Sequence, residues 1–286
     1  MRVAGYARIR IPMKIDIHTH IDSVDPAKIK IFIQTCEQAE TVVCMCSANP
    51  RGDHASAGNN ETLKLSKEFP DSIIPFAFVD LCDKIDVGTV NKHAEQGFKG
   101  LKFITPYHPY DHDLYMPVYE RAESLNLPVL FHTGLYRPNL SDAVHRRSAL
   151  KNMHPLNLDR IARSFPDLKI VMAHLGTSIF RKEAAEIVKL HPNLYADLAG
   201  NGSWEAVSSE ELAELLRPCV RFTDLELAGF KKLVYGSDAY INYPQNIPLA
   251  QAGYHALLRK LGLSKAVCDS IMGETVADWL GLKSHL

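Results

Sequence analysis

Short apolar runs alternate with amphipathic helical patterns along nearly the whole chain, and this alternation limits the fold more than any other feature. Eight runs are predicted as strands, at residues 15–18, 41–47, 73–79, 100–104, 128–132, 169–174, 193–198 and 232–236. The helical patterns cover residues 26–38, 60–69, 88–96, 114–125, 156–165, 180–190, 209–216, 248–260 and 264–281. Because a helix separates each strand from the next, neighbouring strands must run parallel.

Parallel apolar strands covered by helices predict a single α/β domain. Eight strand–helix units fit a (β/α)8 TIM barrel at residues 13–286, with residues 1–12 as an N-terminal extension and residues 264–281 as an extra C-terminal helix. A doubly wound open sheet is the alternative. The chain has no G-x-G-x-x-G after its first strand and no G-x-x-x-x-G-K-[ST] anywhere, so the sequence marks of nucleotide-binding sheets are absent.

Composition narrows the classes of function. Apolar residues make up 46% of the 286-residue chain and charged residues 23%, which is typical of a globular protein. A net charge of −1 excludes the basic surface that nucleic acid or an anionic membrane requires. No apolar run approaches the ~20 residues of a membrane span, and the N-terminus does not resemble a signal peptide. Six scattered cysteines indicate a reducing compartment, so we expect a cytoplasmic protein.

Histidines and an aspartate stand where several predicted strands end. His18 and His20 are two residues apart on the first strand and therefore project to the same side. The fifth strand ends at His132, the sixth at His174 and the eighth at Asp238. The carboxyl ends of barrel strands meet at one face, and imidazole and carboxylate groups bind zinc and other transition metals. The pattern therefore predicts one metal site rather than isolated structural histidines.

The motif His18-Thr19-His20, taken with FHTG, AHLG and GSD, resembles the amidohydrolase superfamily. The chain is most similar to its amidohydrolase-related branch, which includes aminocarboxymuconate-semialdehyde decarboxylase, over residues 14 to about 282. The resemblance implies that His18, His20, His132 and Asp238 bind a divalent metal, with zinc expected first. It implies that His174 acts on substrate or water beside the metal, and His174 is also a candidate ligand.

Lys102 lies in the fourth predicted strand, where binuclear members of that superfamily carboxylate a lysine to bridge two metals. The branch resembled here more usually has one metal and no bridging lysine. Three readings of Lys102 therefore stay open: a carboxylated ligand, a substrate-facing ammonium and a structural lysine.

The predicted site has the parts of a hydrolase. Imidazoles and one carboxylate leave an open metal position for water, and a bound zinc ion lowers the pKa of that water to about 7. Asp238 can accept the proton, and His174 can donate a hydrogen bond to a developing oxyanion. Asp16 either orients a ligand or is a buried polar group of the barrel.

Residues in the loops after the strands are expected to bind the substrate. Arg137 could hold a carboxylate, with Tyr136 beside it and Tyr240 shortly after Asp238. The C-x-C pair Cys44 and Cys46 could in principle bind metal, but on a buried strand it is more typical of small apolar filling.

The sequence therefore predicts an enzyme that hydrolyses a small organic molecule, such as an amide or lactone, through a metal-activated water. A metal-dependent non-oxidative decarboxylase of a small carboxylic acid is the runner-up. A metal-independent lactonase and a binding module with a vestigial site are the remaining alternatives. The expected partner is a small-molecule substrate, with no nucleic acid and no membrane, and a homodimer is the expected assembly if the chain is not monomeric.

Overall fold

The structure is a computed structural model that describes residues 14–47, 57–136, 148–200, 207–216 and 229–282. The predicted N-terminal extension at residues 1–12 and the predicted substrate-binding residue Arg137 lie outside these ranges. No described helix is both long enough and apolar enough to cross a membrane.

Eight parallel strands form one sheet. They are β1 Lys14–His20, β2 Thr41–Cys46, β3 Ile73–Phe78, β4 Gly100–Phe103, β5 Val129–Phe131, β6 Ile170–Met172, β7 Leu194–Ala196 and β8 Ala239–Tyr240. Their order across the sheet is β7-β6-β5-β4-β3-β2-β1-β8. Consecutive strands from β1 to β7 therefore lie side by side, as is usual for successive strand–helix–strand units.

Ten α-helices follow or connect the strands in the described ranges. They are α1 Pro26–Gln38, α2 Asn59–Glu68, α3 Gly88–Gln96, α4 Met116–Ser124, α5 Asn157–Ser164, α6 Thr177–Leu190, α7 Ser209–Leu216, α8 Asn246–Lys260, α9 Lys265–Asp269 and α10 Thr275–Trp279. The helix predicted at residues 264–281 is divided, because a π-helical turn at Ser270–Glu274 separates α9 from α10.

Helix α1 illustrates how the sequence sets these elements. It begins at Pro26, whose fixed φ suits the first helical turn. The side chain of Asp25 caps it by accepting a hydrogen bond from the backbone N–H of Ala27 at 2.8 Å. Phe32 and Cys36 lie on its buried face and pack against the sheet. The apolar periodicity thus directs one face of the helix to the sheet and leaves the other to solvent.

The eighth strand lies farther along the chain than predicted. In the predicted segment 232–236, Leu233 makes a single parallel bridge to Ala196 of β7, but Tyr235 donates its N–H to Ile271 in the π-helical turn. The ladder therefore stops there, and β8 pairs with β1 instead. The sheet is a curled, open half-barrel with helices, and the prediction of a fully closed barrel is wrong in this respect.

The concave side of the sheet is an apolar core. One buried cluster joins Ile17, Phe76, Leu130 and Val171 from four different strands with Val276 of α10. Side chains from strands so far apart in the sheet can contact one another only because the sheet curls. Cys44 and Cys46 belong to this cluster and are free and fully buried, as expected of small apolar filling.

Candidate metal centre

The paired histidines of β1 lie together, as the two-residue period predicts. His18 Nε2 and His20 Nε2 are 3.0 Å apart. The pairing of β1 with β2 shifts register between Asp16 and Thr19, so a bulge precedes the site. Such bulges re-aim side chains near functional sites. Two ring nitrogens at this distance can share a proton or a cation between them.

Asp238 brings a carboxylate to the same two rings. Its Oδ1 lies 3.0 Å from His20 Nε2 and 3.6 Å from His18 Nε2. Asp238 stands immediately before β8, and its N–H donates to the carbonyl of His18 at 2.8 Å. His18, His20 and Asp238 each offer one ligand atom, and these atoms lie within 4.8 Å of one another. The three residues thus form a group that could hold a metal ion.

Asp197 is a site residue that the sequence analysis missed. Its Oδ2 accepts a hydrogen bond from His18 Nδ1 at 2.9 Å. Its Oδ1 accepts from the backbone N–H groups of His174 and Ala199, at 2.7 and 3.0 Å. The sequence did carry a signal, because the apolar run of β7 stops at this aspartate in the same way that other strands stop at histidine. His18, His174 and Asp197 form a second candidate group for a metal ion.

His174 and His132 face each other beside these groups. His174 Nε2 lies 3.2 Å from His132 Nδ1. The other nitrogen of each ring donates to a backbone carbonyl, that of Ala199 at 2.8 Å and that of Leu135 at 3.2 Å. In their neutral forms the two rings would therefore direct lone pairs at each other, so a proton or a cation belongs between them. His132, predicted as a ligand, lies next to His174 and in neither group of three found among the described residues.

Lys102 projects from β4 into the same site. Its side chain is buried, and its Nζ lies 2.8 Å from His18 Nε2. Burial lowers the pKa of its ammonium group, although the charges of Asp238 and Asp197 act in the opposite direction.

The ionisation states suit a divalent cation. Burial lowers the pKa of His18 and of His132 well below the usual range, and it lowers the pKa of His20 as well. Burial opposes ionisation of Asp238, but a hydrogen bond from His20 holds the pKa of Asp238 below its usual range. At neutral pH the site therefore presents neutral imidazoles and a carboxylate, which is the donor set of catalytic zinc sites.

Asp16 supports the backbone of the site and contacts no imidazole ring in the described structure. Its Oδ1 accepts from the N–H groups of His18 and Ser237, both at 3.0 Å. Its Oδ2 has no hydrogen-bond partner among the described residues, and burial raises the pKa of the carboxyl group to about 7. The geometry therefore favours the interpretation of Asp16 as a buried polar group rather than as a residue that orients a ligand. The carboxylate that orients an imidazole ring is that of Asp197.

Two tyrosines flank the histidines. The ring of Tyr240 stacks on that of His20, with centroids 4.8 Å apart. The ring of Tyr136 meets that of His132 edge-on, with centroids 5.6 Å apart. Both tyrosines predicted to bind substrate therefore lie against the site.

Gly200 also lines the site, and the sequence did not predict this role. Its φ of 87° lies in the left-handed region that favours glycine. A Cβ at this position would lie 2.8 Å from His174 Nδ1 and 3.2 Å from Asp238 Oδ2. The backbone approaches the site too closely here for any side chain.

Comparison with known proteins identifies the family. The family model described as amidohydrolase matches residues 48–282. No curated protein matches the sequence.

Three solved structures are similar in fold. A probable 2-pyrone-4,6-dicarboxylic acid hydrolase from Acinetobacter baumannii has a TM-score of 0.59 at 14% identity, over 94% of this chain and 99% of that one. The 2,6-dihydroxybenzoate decarboxylase from Rhizobium has a TM-score of 0.58 at 15% identity, with the same shares covered. The 5-carboxyvanillate decarboxylase from Sphingomonas paucimobilis has a TM-score of 0.60 at 14% identity, over 95% and 99%.

At such low identity these structures establish the fold alone, whereas the family match extends over most of the chain. It confirms the superfamily that the histidine motifs predicted. The chain belongs to the amidohydrolase family of metal-dependent enzymes.

Proposed function

We propose that this enzyme hydrolyses an amide, a lactone or a similar bond of a small organic molecule, with zinc as its metal. The observation that carries the proposal is the convergence of His18, His20 and Asp238, whose ligand atoms lie within 4.8 Å of one another beside His174. Neutral imidazole nitrogens with one carboxylate oxygen suit zinc and leave a coordination position open. The bound ion would supply Lewis acidity toward water and a carbonyl oxygen.

Asp238 is the proposed proton acceptor. Its Oδ1 lies at the histidine pair, and its lowered pKa keeps it ionised at neutral pH. A carboxylate in this position can take a proton from the attacking water and pass it to the leaving group.

His174 is the proposed oxyanion stabiliser. Its Nδ1 is occupied by the carbonyl of Ala199, which leaves Nε2 directed at His132 Nδ1. When Nε2 carries a proton, its N–H can donate to a developing negative charge in place of His132. His132 then acts as a proton partner of His174 or as a metal ligand, as the sequence predicted.

Substrate contacts are proposed for the residues at the rim. The rings of Tyr240 and Tyr136 lie against those of His20 and His132. Arg137 follows Tyr136 in the chain and is proposed to hold a carboxylate of the substrate.

A decarboxylase is the second candidate, and Lys102 is the observation that favours it. A buried amino group beside His18 would attract a substrate carboxylate into the site. In that reaction His174 would deliver a proton to the carbon that loses carbon dioxide. Two of the structural neighbours are decarboxylases by name.

Product analysis distinguishes the two reactions. The purified enzyme is incubated with small lactones, amides and carboxylated aromatic acids in ¹⁸O-labelled water, with and without removal of metal by a chelator. Hydrolysis predicts one labelled oxygen in the product and no released carbon dioxide, whereas decarboxylation predicts carbon dioxide with no label in the product. Turnover that is unaffected by complete removal of metal would contradict both proposals.

We further propose a cytoplasmic location, which the five free cysteines among the described residues support. A homodimer stays a prediction.

A further inference from the structure

We propose that Lys102 is an internal competitor of the metal: its Nζ donates to the lone pair of His18 that a bound cation would use, so Lys102 weakens metal binding and must move when the site fills. This inference rests on the proposed metal-dependent function. It concerns the affinity of the site rather than the identity of its ligands.

The hydrogen bonds of His18 show which of its ring nitrogens carries the lone pair that a metal would use. The carboxylate of Asp197 can only accept, so the proton of the neutral His18 ring lies on Nδ1. Nε2 therefore carries the lone pair, and it faces His20 and Asp238, where the cation is expected.

Lys102 occupies that lone pair. Its Nζ lies 2.8 Å from His18 Nε2, within ordinary hydrogen-bond distance. Among the described residues, His18 Nε2 is the one hydrogen-bond acceptor that the structure gives this amino group. An amine donates an N–H whether it is charged or neutral, so the competition does not depend on its protonation state.

Because Lys102 is buried, its hydrogen bond to His18 cannot be replaced by one to water. Lys102 is 1% exposed, so its amino group cannot turn to water without leaving the core. A metal that binds His18 must break the hydrogen bond and displace the side chain. The loss of this hydrogen bond, whether the amine is neutral or charged, would reduce metal affinity about threefold to a hundredfold.

The opposite role, a carboxylated lysine that binds metal, predicts the opposite sign. In the structure Nζ itself lies 2.8 Å from His18 Nε2, which is the distance of a direct hydrogen bond from the amine. Removal of the lysine would weaken metal binding if it were a ligand and strengthen binding if it is a competitor.

The test is equilibrium dialysis of the metal-free protein against Zn²⁺, with Lys102→Met compared with the parent. Lys102→Met keeps the unbranched side chain as far as Cε and removes the donor, so we expect zinc to bind about threefold to a hundredfold more tightly. Lys232→Met is the matched control, because Lys232 is also buried but lies over the ring of Tyr195, with its Nζ 4.3 Å from the ring centroid. The control should bind zinc as the parent does.

A second variant and a crystal structure of the parent with zinc can still test the inference if Lys102→Met does not fold. Lys102→Gln has a shorter side chain that cannot reach His18 and should show the same gain. A zinc-bound crystal structure of the parent should place Lys102 Nζ out of hydrogen-bond distance of His18 Nε2. Unchanged or weaker zinc binding by folded variants would overturn the inference but leave the proposed function intact. Failure of the parent and of every variant to bind zinc would overturn both.

Discussion

His18 donates a hydrogen bond from Nδ1 to Asp197 Oδ2 at 2.9 Å, although the two residues are 179 positions apart in the chain. The contact joins β1 to the residue that follows β7, on the side where the strand ladder is open. Both side chains are fully buried. This one pair therefore orients the ring of a candidate metal ligand and joins the edge strand β7 to β1 at the site.

Asp197→Asn is expected to reduce zinc affinity about 10- to 100-fold, because an amide orients the His18 ring less strongly than a carboxylate. Asparagine keeps an oxygen that can accept from the N–H of His174, so the fold should be retained. Dialysis against zinc measures the effect. Asp159→Asn is the matched control, since Asp159 contacts Nε2 of His191 at 2.8 Å and no residue of the metal centre. Equal zinc affinity in the parent and Asp197→Asn would contradict the orienting role.

Gly200→Ala is expected to lower activity strongly, because its Cβ would lie 2.8 Å from His174 Nδ1 and push that ring out of place. The backbone strain at positive φ should also lower the free energy of unfolding by about 1–3 kcal/mol. Gly262→Ala shares a positive φ of 65° but has nothing within 4 Å of the new Cβ. Turnover and denaturant unfolding of both variants separate the two effects. If Gly262→Ala lost as much activity as Gly200→Ala, contact with His174 would not be the cause.

Zinc binding is expected to persist below pH 6.5, the ordinary pKa of imidazole. Burial lowers the pKa of His18, His20 and His132, so protons compete with metal only at more acidic pH. The native chain also binds fewer protons than the unfolded chain just below pH 6.5, so the unfolding free energy of the metal-free protein should fall as the pH falls through this region. Dialysis at about pH 6 and about pH 7.5 measures how much zinc the protein retains at each pH. Loss of half the zinc near pH 6.5 would indicate ordinary histidines.

The buried amino group of Lys232 should make the free energy of unfolding depend on pH between about 7 and 10.5. Burial lowers its pKa from 10.5 to about 7, and nearby Lys169 acts in the same direction. Between these two pH values the native chain binds fewer protons than the unfolded chain, so the unfolding free energy rises with pH. Lys232→Met should remove this component, which is at most a few kcal/mol, on the order of 1.4 kcal/mol for each unit of pKa shift. Urea unfolding of parent and variant at several pH values measures the two slopes, and identical slopes would refute the prediction.

The sequence predicted the histidine pair and the eight-unit fold because both depend on local periodicity. His18 and His20 share a side since strand side chains alternate, and strand ends converge wherever parallel strands curl. The position of β8 was not predictable in this way. The hydrogen bond from Tyr235 to Ile271 replaces a ladder bond there, and its acceptor belongs to a distant turn.

The roles of Asp197 and Gly200 also needed the tertiary structure. Nothing in the sequence indicates which residue an aspartate after a strand will contact, and the contact of Asp197 with His18 depends on how the sheet curls. Gly200 is constrained by the ring of His174, a neighbour only in space. Lys102 was placed correctly on the fourth strand, but its contact with His18 followed only from the curvature of the sheet.

Elemental analysis of the gently purified protein tests the central claim most directly, with His18→Ala and Asp238→Ala measured in parallel. His108→Ala is the control, because His108 contacts Asp83 at 3.0 Å, away from the metal centre. We predict about one zinc ion per chain in the parent and in His108→Ala, and little or none in the other two variants. An active parent without metal, or variants at His18 and Asp238 that retain it fully, would contradict the account.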